Sequence, residues 1–184
     1  ENTVDKMTPV PYHLREDVCY FEGVKNFFVT YKNLGILYRK CGQWHKSAQA
    51  FENALQYAPS YFSPDYTASV KLQLAEVYTQ SGRLNEAATL LLEARSTSDN
   101  PSKIDNLLGV IAIKLKEKEK AALYFKRALL ENNNYAPAHH NLGILYMESD
   151  QTQEGLKELL EAAKLNPQYK KTLSKYGHGS SLAQ

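Results

Sequence analysis

Four stretches of the chain read in register: YKNLGILYRKCGQWHKSAQAFENAL over residues 31–55, KLQLAEVYTQSGRLNEAATLLLEAR over 71–95, DNLLGVIAIKLKEKEKAALYFKRAL over 105–129 and HHNLGILYMESDQTQEGLKELLEAA over 139–163. A small residue recurs at Gly35, Ala75, Gly109 and Gly143, at intervals of 40, 34 and 34 residues. A leucine precedes each of them: Leu34, Leu74, Leu108 and Leu142. An aromatic follows three positions later at Tyr38, Tyr78 and Tyr146, with Ala112 in the third stretch. A second small residue stands at Ser47, Ala87, Ala121 and Gly155, then a large apolar one at Phe51, Leu91, Phe125 and Leu159. Alanine closes each unit at Ala54, Ala94, Ala128 and Ala162. Self-similarity at a fixed period of this length is the signature of stacked repeat units.

The columns have a physical reading. Glycine inside a helix costs about 1 kcal/mol against alanine. Three glycines at one phase therefore imply a packing gain that offsets the cost. The small residue of each first helix is expected to face the small residue of the second, twelve positions on: Gly35 with Ser47, Ala75 with Ala87, Gly109 with Ala121, Gly143 with Gly155. Small residues let two helix axes approach at the short end of the usual ~8–10 Å range. Tyrosine and phenylalanine then fill the wedges beside the contact, which explains several of the 13 Tyr.

The period, the columns and the prolines Pro59 and Pro167 after two of the units resemble the tetratricopeptide repeat family over about residues 28–169. The resemblance implies an all-α fold, a right-handed α-solenoid of antiparallel helix pairs, with four units at about 28–61, 68–101, 102–135 and 136–169. First helices are expected over about 28–41, 65–81, 102–115 and 136–149, and second helices over about 44–57, 84–96, 118–131 and 152–165. Gly42 and Gly82 suit the turns between them. Lys116 and Asp150 stand there in the third and fourth units, which predicts turns of another build. Pro101 and Pro137 lie near helix starts, where a missing N–H costs least. The six additional residues before the second unit fall within 58–69, where Ser63-Pro64-Asp65 is a helix-start pattern. Residues 1–27 read as a tail with an additional helix over 14–28. A capping helix over 168–176 is expected to close the array, with residues 170–184 as its end and a frayed tail.

Stacked helix pairs leave one face of the first helices open to a peptide or a partner helix. The register assigns to that groove Val29, Lys32, Ile36, Arg39 and Lys40 in the first unit, and Ser69, Leu72, Glu76, Thr79 and Gln80 in the second. The third offers Lys103, Asn106, Val110, Ile113 and Lys114, and the fourth Pro137, His140, Ile144, Met147 and Glu148. These positions carry five basic and two acidic side chains, net +3, in a chain whose net charge is +2. The balance suits a ligand with acidic and apolar character, although lysines also simply solvate exposed faces. Some relatives of this repeat clamp acidic chaperone tails. Lys32 and Lys103 occupy two of those clamp positions, while Ile36, Gln73 and Leu107 depart from the pattern. Others grip the peptide backbone with an asparagine ladder. Asn33 and Asn141 stand in that column, and Gln73 and Leu107 interrupt it.

Other chemistry finds little support. The near-neutral balance of 22 basic and 20 acidic residues gives no prompt for nucleic acid. No apolar run approaches the roughly 20 residues of a membrane span, and no signal peptide is visible. Cys19 and Cys41 make neither a disulfide framework nor a zinc set and read as buried small apolar residues. Together with the absence of a glycosylation sequon this points to a reducing intracellular, cytoplasmic setting. His139 and His140 are helix neighbours pointing about 100° apart, a poor metal pair. Trp44 reads as wedge packing. The chain starts at Glu1 with its first Met at position 7, which suggests an excised fragment. The expected role is a protein-binding adaptor or scaffold that is no enzyme and needs no cofactor. Rival readings are a substrate-selecting segment of a larger enzyme such as a glycosyltransferase, a co-chaperone domain, or an array that associates with itself.

Overall fold

The computed structural model describes residues 18–58 and 64–180, and every regular element among them is helical. The order is α1 (Val18–Lys40), α2 (Trp44–Gln56), α3 (Pro64–Ser81), α4 (Leu84–Arg95), α5 (Pro101–Lys114), α6 (Lys118–Glu131), α7 (Ala136–Met147) and α8 (Thr152–Leu165). A 3-10 turn, Pro167–Tyr169, then leads into α9 (Lys170–Ser180). The heaviest packing lies within the pairs α1–α2, α3–α4, α5–α6 and α7–α8, and each second helix also packs on the next first helix. This is the expected solenoid of helix pairs. Two boundaries differ from the sequence reading. The helix expected over 14–28 is, in its described part, the beginning of α1 itself, which runs unbroken from Val18. The capping helix reaches Ser180, past the end expected at 176. The helix start at Pro64 takes up part of the insertion before the second unit by lengthening α3 to 18 residues, against 14 in α5. Pro101 opens α5 behind an Asn100 cap that accepts from the Lys103 N–H at 3.1 Å, a standard way to satisfy an orphan helix donor.

The seam between paired helices is tighter than a small-against-small contact. A Cβ on Gly35 would meet the Phe51 ring at 2.8 Å, and one on Gly109 would meet the Phe125 ring closer still. The glycines are therefore seats for the ring one turn beyond the second small residue. Only in the fourth unit do two glycine backbones face directly: a Cβ on either Gly143 or Gly155 would lie 3.0 Å from the other's carbonyl oxygen. In the first unit Ser47 lies against Gly35 through its hydroxyl, which donates to the Gly35 carbonyl at 2.7 Å. Around this seam the core forms two clusters, one from Phe28 through Ile111 and one joining Ala112, Ala121, Phe125, Leu142 and Leu145. The insertion coincides with an aromatic group: Tyr31 stacks on Tyr57 at 5.6 Å, and Phe28 lies 5.3 Å from Tyr66.

The four intra-unit turns are built alike, contrary to the sequence expectation. Gln43, Arg83, Glu117 and Gln151 each donate their N–H to the carbonyl five residues back, on Tyr38, Tyr78, Ala112 and Tyr146, at 2.8–3.0 Å. That closure demands a left-handed residue just before the donor. It is supplied by Gly42 (φ 70°), Gly82 (φ 83°), Lys116 (φ 64°) and Asp150 (φ 59°). The hydrogen bond fixes the geometry, and the side chain bears the strain. A left-handed L-residue costs roughly 1–2 kcal/mol, less what glycine loses through its freer unfolded chain. Lys116→Gly is thus expected to stabilise the chain by about 0.5–1 kcal/mol, read as a shifted urea midpoint at constant slope. An unchanged or lower midpoint contradicts the strain argument. Cys41, beside the first of these turns, is exposed rather than buried.

Candidate functional site

A continuous line of side-chain contacts crosses the first helices in order. From α1 to α3, Lys32 lies over the Tyr66 ring and donates to its hydroxyl at 2.8 Å, and Arg39 pairs with Glu76. From α3 to α5, the other oxygen of Glu76 takes Lys103 at 2.8 Å. From α5 to α7, Asn141 donates an amide hydrogen to Asn106 at 2.9 Å. From α7 to the C-terminal cap, His140 stacks on Tyr169 at 4.3 Å and its Nε2 lies 3.1 Å from the Thr172 hydroxyl. One carboxylate touching cations on both neighbouring helices requires α1, α3 and α5 to lie side by side. Lys32, Arg39, Glu76, Lys103, Asn106 and His140 therefore share one face.

The other expected groove residues divide by depth. Ile36, Val110 and Ile144 are half-buried, with Ile36 packed on the first core cluster and Val110 on the second. Lys40 and Lys114 are exposed at the ends of α1 and α5. Leu72 and Asn106 are only 8% and 7% exposed, so neither is open to a ligand. Thr79 is buried too, its hydroxyl returned to the Ala75 carbonyl. Met147 turns away from the others: its sulfur would lie 2.6 Å from a Cβ on Gly155, so it packs against α8. Asn141 of the suggested ladder spends one amide hydrogen on Asn106, and Asn33 is exposed.

Two tyrosines join this face without having been singled out in the sequence. Burial pushes the Tyr135 hydroxyl above the usual phenol range, and the nearby Tyr169 and Glu76 add to the shift. The two tyrosine numbers, 135 and 169, differ by 34, the repeat period, and that recurrence was the available signal. Burial holds His140 below the usual imidazole range, with the Asn141 hydrogen bond opposing the shift. His139 faces the other way, with Nδ1 2.6 Å from Glu158 and Nε2 2.9 Å from the Asn133 carbonyl. The two histidines are thus on separate surfaces, and no group of three or more His, Cys, Asp or Glu side chains among the described residues is arranged to hold a metal.

One column at the 34-residue period makes polar pairs between the paired helices. Lys71 pairs with Glu93 at 2.7 Å, Asp105 with Arg127, and His139 with Glu158. Asp105 is fully buried and takes Arg95 on both oxygens, at 2.9 and 3.0 Å, besides Arg127. On the outer surface, Leu123 and Leu130 of α6 are 65% and 87% exposed. Trp44 is half-exposed beside a cleft of about 400 Å³ with His45, Gln49 and Arg83, rather than a packed wedge. No described helix is long and apolar enough to cross a membrane.

No curated protein matches the chain in sequence. Solved structures do match it in fold. One of MamA shares 19% identity at a TM-score of 0.65, covering 86% of this chain and 85% of that one. MamA 41-end from Desulfovibrio magneticus RS-1 shares 15% at 0.64, over 84% and 86%. YrrB, described as a TPR protein with an unusual peptide-binding site, shares 20% at 0.56, over 74% and 68%. Tetratricopeptide repeat profiles match residues 27–100, 72–137 and 136–169, end to end across the four units. With helix pairs, seam and period all in agreement, the chain belongs to the tetratricopeptide repeat family.

Proposed function

We propose that the chain is a protein-interaction scaffold that takes an extended segment or helix of a partner protein along α1, α3, α5 and α7. Family membership supports the first half. The second half rests on one observation, the Arg39–Glu76–Lys103 bridge, which sets three successive first helices on a common face floored by Ile36, Val110 and Ile144. A half-buried apolar floor between polar side chains is what an extended or helical ligand needs for anchoring and orientation. YrrB's peptide-binding description supports the analogy. Binding, rather than chemistry, is the proposed activity. The acidic-tail clamp fits less well, because Lys103 is committed to Glu76 and Lys32 to Tyr66.

Affinity capture tests the groove. Val110→Arg with Ile144→Arg obstructs the floor, and Leu123→Arg with Leu130→Arg alters the outer face of α6. The groove variant is expected to lose captured partners about tenfold, equivalent to roughly 1.4 kcal/mol, while the outer variant keeps them. The opposite pattern would reject the groove. Unchanged melting of both variants by circular dichroism shows that the comparison is of surfaces.

A further inference from the structure

The charge along the groove is unevenly available. A ligand carboxylate is drawn to cations that are not already neutralised. Arg39 and Lys103 share Glu76, one on each oxygen, so the middle of the face is internally compensated. Lys32 donates to Tyr66. Lys40 and Lys114 stand at the last residues of their helices, on the rim.

The C-terminal cap differs. Lys170, Lys171 and Lys175 lie within the first six residues of α9, whose first turn holds no acid. None of the three is in an ion pair among the described residues, and Lys175 lies over the Tyr176 ring at 5.3 Å, a contact that leaves its charge uncompensated. Lys171 and Lys175, one helical turn apart and so on one side of α9, are both exposed, with Thr172 and Ser174 beside them on the same helix. Thr172 meets His140, which ties this part of α9 to the groove side of α7. The register agrees, because Lys171 follows Pro137 and Lys103 at successive intervals of 34 residues.

We infer that Lys171 and Lys175 form the acid-accepting end of the groove. A partner segment lies with its aspartate or glutamate side chains over α9 and its apolar side chains over Ile144, Val110 and Ile36. Glu76 sets this register: by holding Arg39 and Lys103 it denies the acidic part of the ligand a second place in the middle. The inference rests on the groove reading above and adds the ligand's charge and direction.

The test uses the isotope-labelled full chain and two fluorescein-free octapeptides at millimolar concentration, followed by amide chemical shifts. One peptide has a leucine–alanine half and a glutamate half, and the other replaces glutamate with glutamine. The glutamate peptide is expected to shift the amides of residues 171–175 together with those of Val110 and Ile144. The glutamine peptide and the variant Lys171→Glu with Lys175→Glu are each expected to bind about tenfold more weakly, as the loss of two exposed charge contacts implies. Both lysines are exposed, so the variant retains the fold. In Glu76→Gln the same peptide is expected to shift amides near Arg39 and Lys103 as well. Shifts at Val110 and Ile144 without any at 171–175, or full affinity in the lysine variant, would overturn the inference and leave the groove standing. No shift at any first-helix residue with either peptide would overturn both.

Discussion

Replacing Asp105 with alanine is expected to lower stability by about 3 kcal/mol, within the range for removing one partner of a buried ion pair. No other single change proposed for this chain has so large an expected cost. Asp105 is 0% exposed and receives three guanidinium hydrogen bonds, two from Arg95 on α4 and one from Arg127 on α6. Arg95 also reaches Glu131 at 2.8 Å. One carboxylate thus joins three helices and the second unit to the third. Its loss leaves two cations facing each other across an empty site, and the Arg127 Nε is already buried without a hydrogen-bond partner. The guanidinium groups are about a third exposed and recover some hydration, which keeps the figure at the low end. For a chain of this length it corresponds to roughly 6–12 °C in melting temperature. Asp105→Leu with Arg95→Leu and Arg127→Leu removes the triad as a unit and is expected to be less damaging than Asp105→Ala alone. A single variant melting within 2 °C of the parent, by the roughly 2–4 °C per kcal/mol scale, would mean that the network contributes nothing.

Gly109→Ala is expected to cost about 2–3 kcal/mol, the scale of overpacking in a filled core. The added methyl would enter the Phe125 ring at less than 3.0 Å. The chain contains its own compensation. Glycine faces phenylalanine in the first and third units, as Gly35 with Phe51 and Gly109 with Phe125, whereas alanine faces leucine in the second, as Ala75 with Leu91. Gly109→Ala combined with Phe125→Leu rebuilds the second unit's pair inside the third. The double variant is expected to be more stable than the sum of the two single effects by at least about 1 kcal/mol, a coupling usual for residues in contact. Simple additivity, measured by chemical denaturation, would show that ring and glycine do not share one space.

The helix pairs were legible because their defining column is one of residue size, and size recurs visibly in letters. The shared face of Lys32, Arg39, Glu76, Lys103, Asn106 and His140 followed from the same register. The polar column at Lys71, Asp105 and His139 did not show, since what repeats there is a contact and not a residue type: Lys71 meets Glu93, Asp105 meets Arg127 and His139 meets Glu158. The turns misled for a related reason. Glycine is the cheapest left-handed residue, yet the backbone closure compels Lys116 and Asp150 into the same conformation. Burial depth was the third gap. Leu72 and Asn106 share the groove's register but lie under neighbouring side chains, and only packing in three dimensions reveals that.

In the proposed reading, nesting of paired helices leaves the opposite face of the first helices to hold a partner. Photo-cross-linking reads this directly. A benzoylphenylalanine placed at Val110 or Ile144 is expected to capture the same partner that the parent chain retains, and one placed at Leu123 or Leu130 on α6 is not. Cross-links arising from Leu123 and Leu130 alone would put the partner on the outer surface and contradict the account.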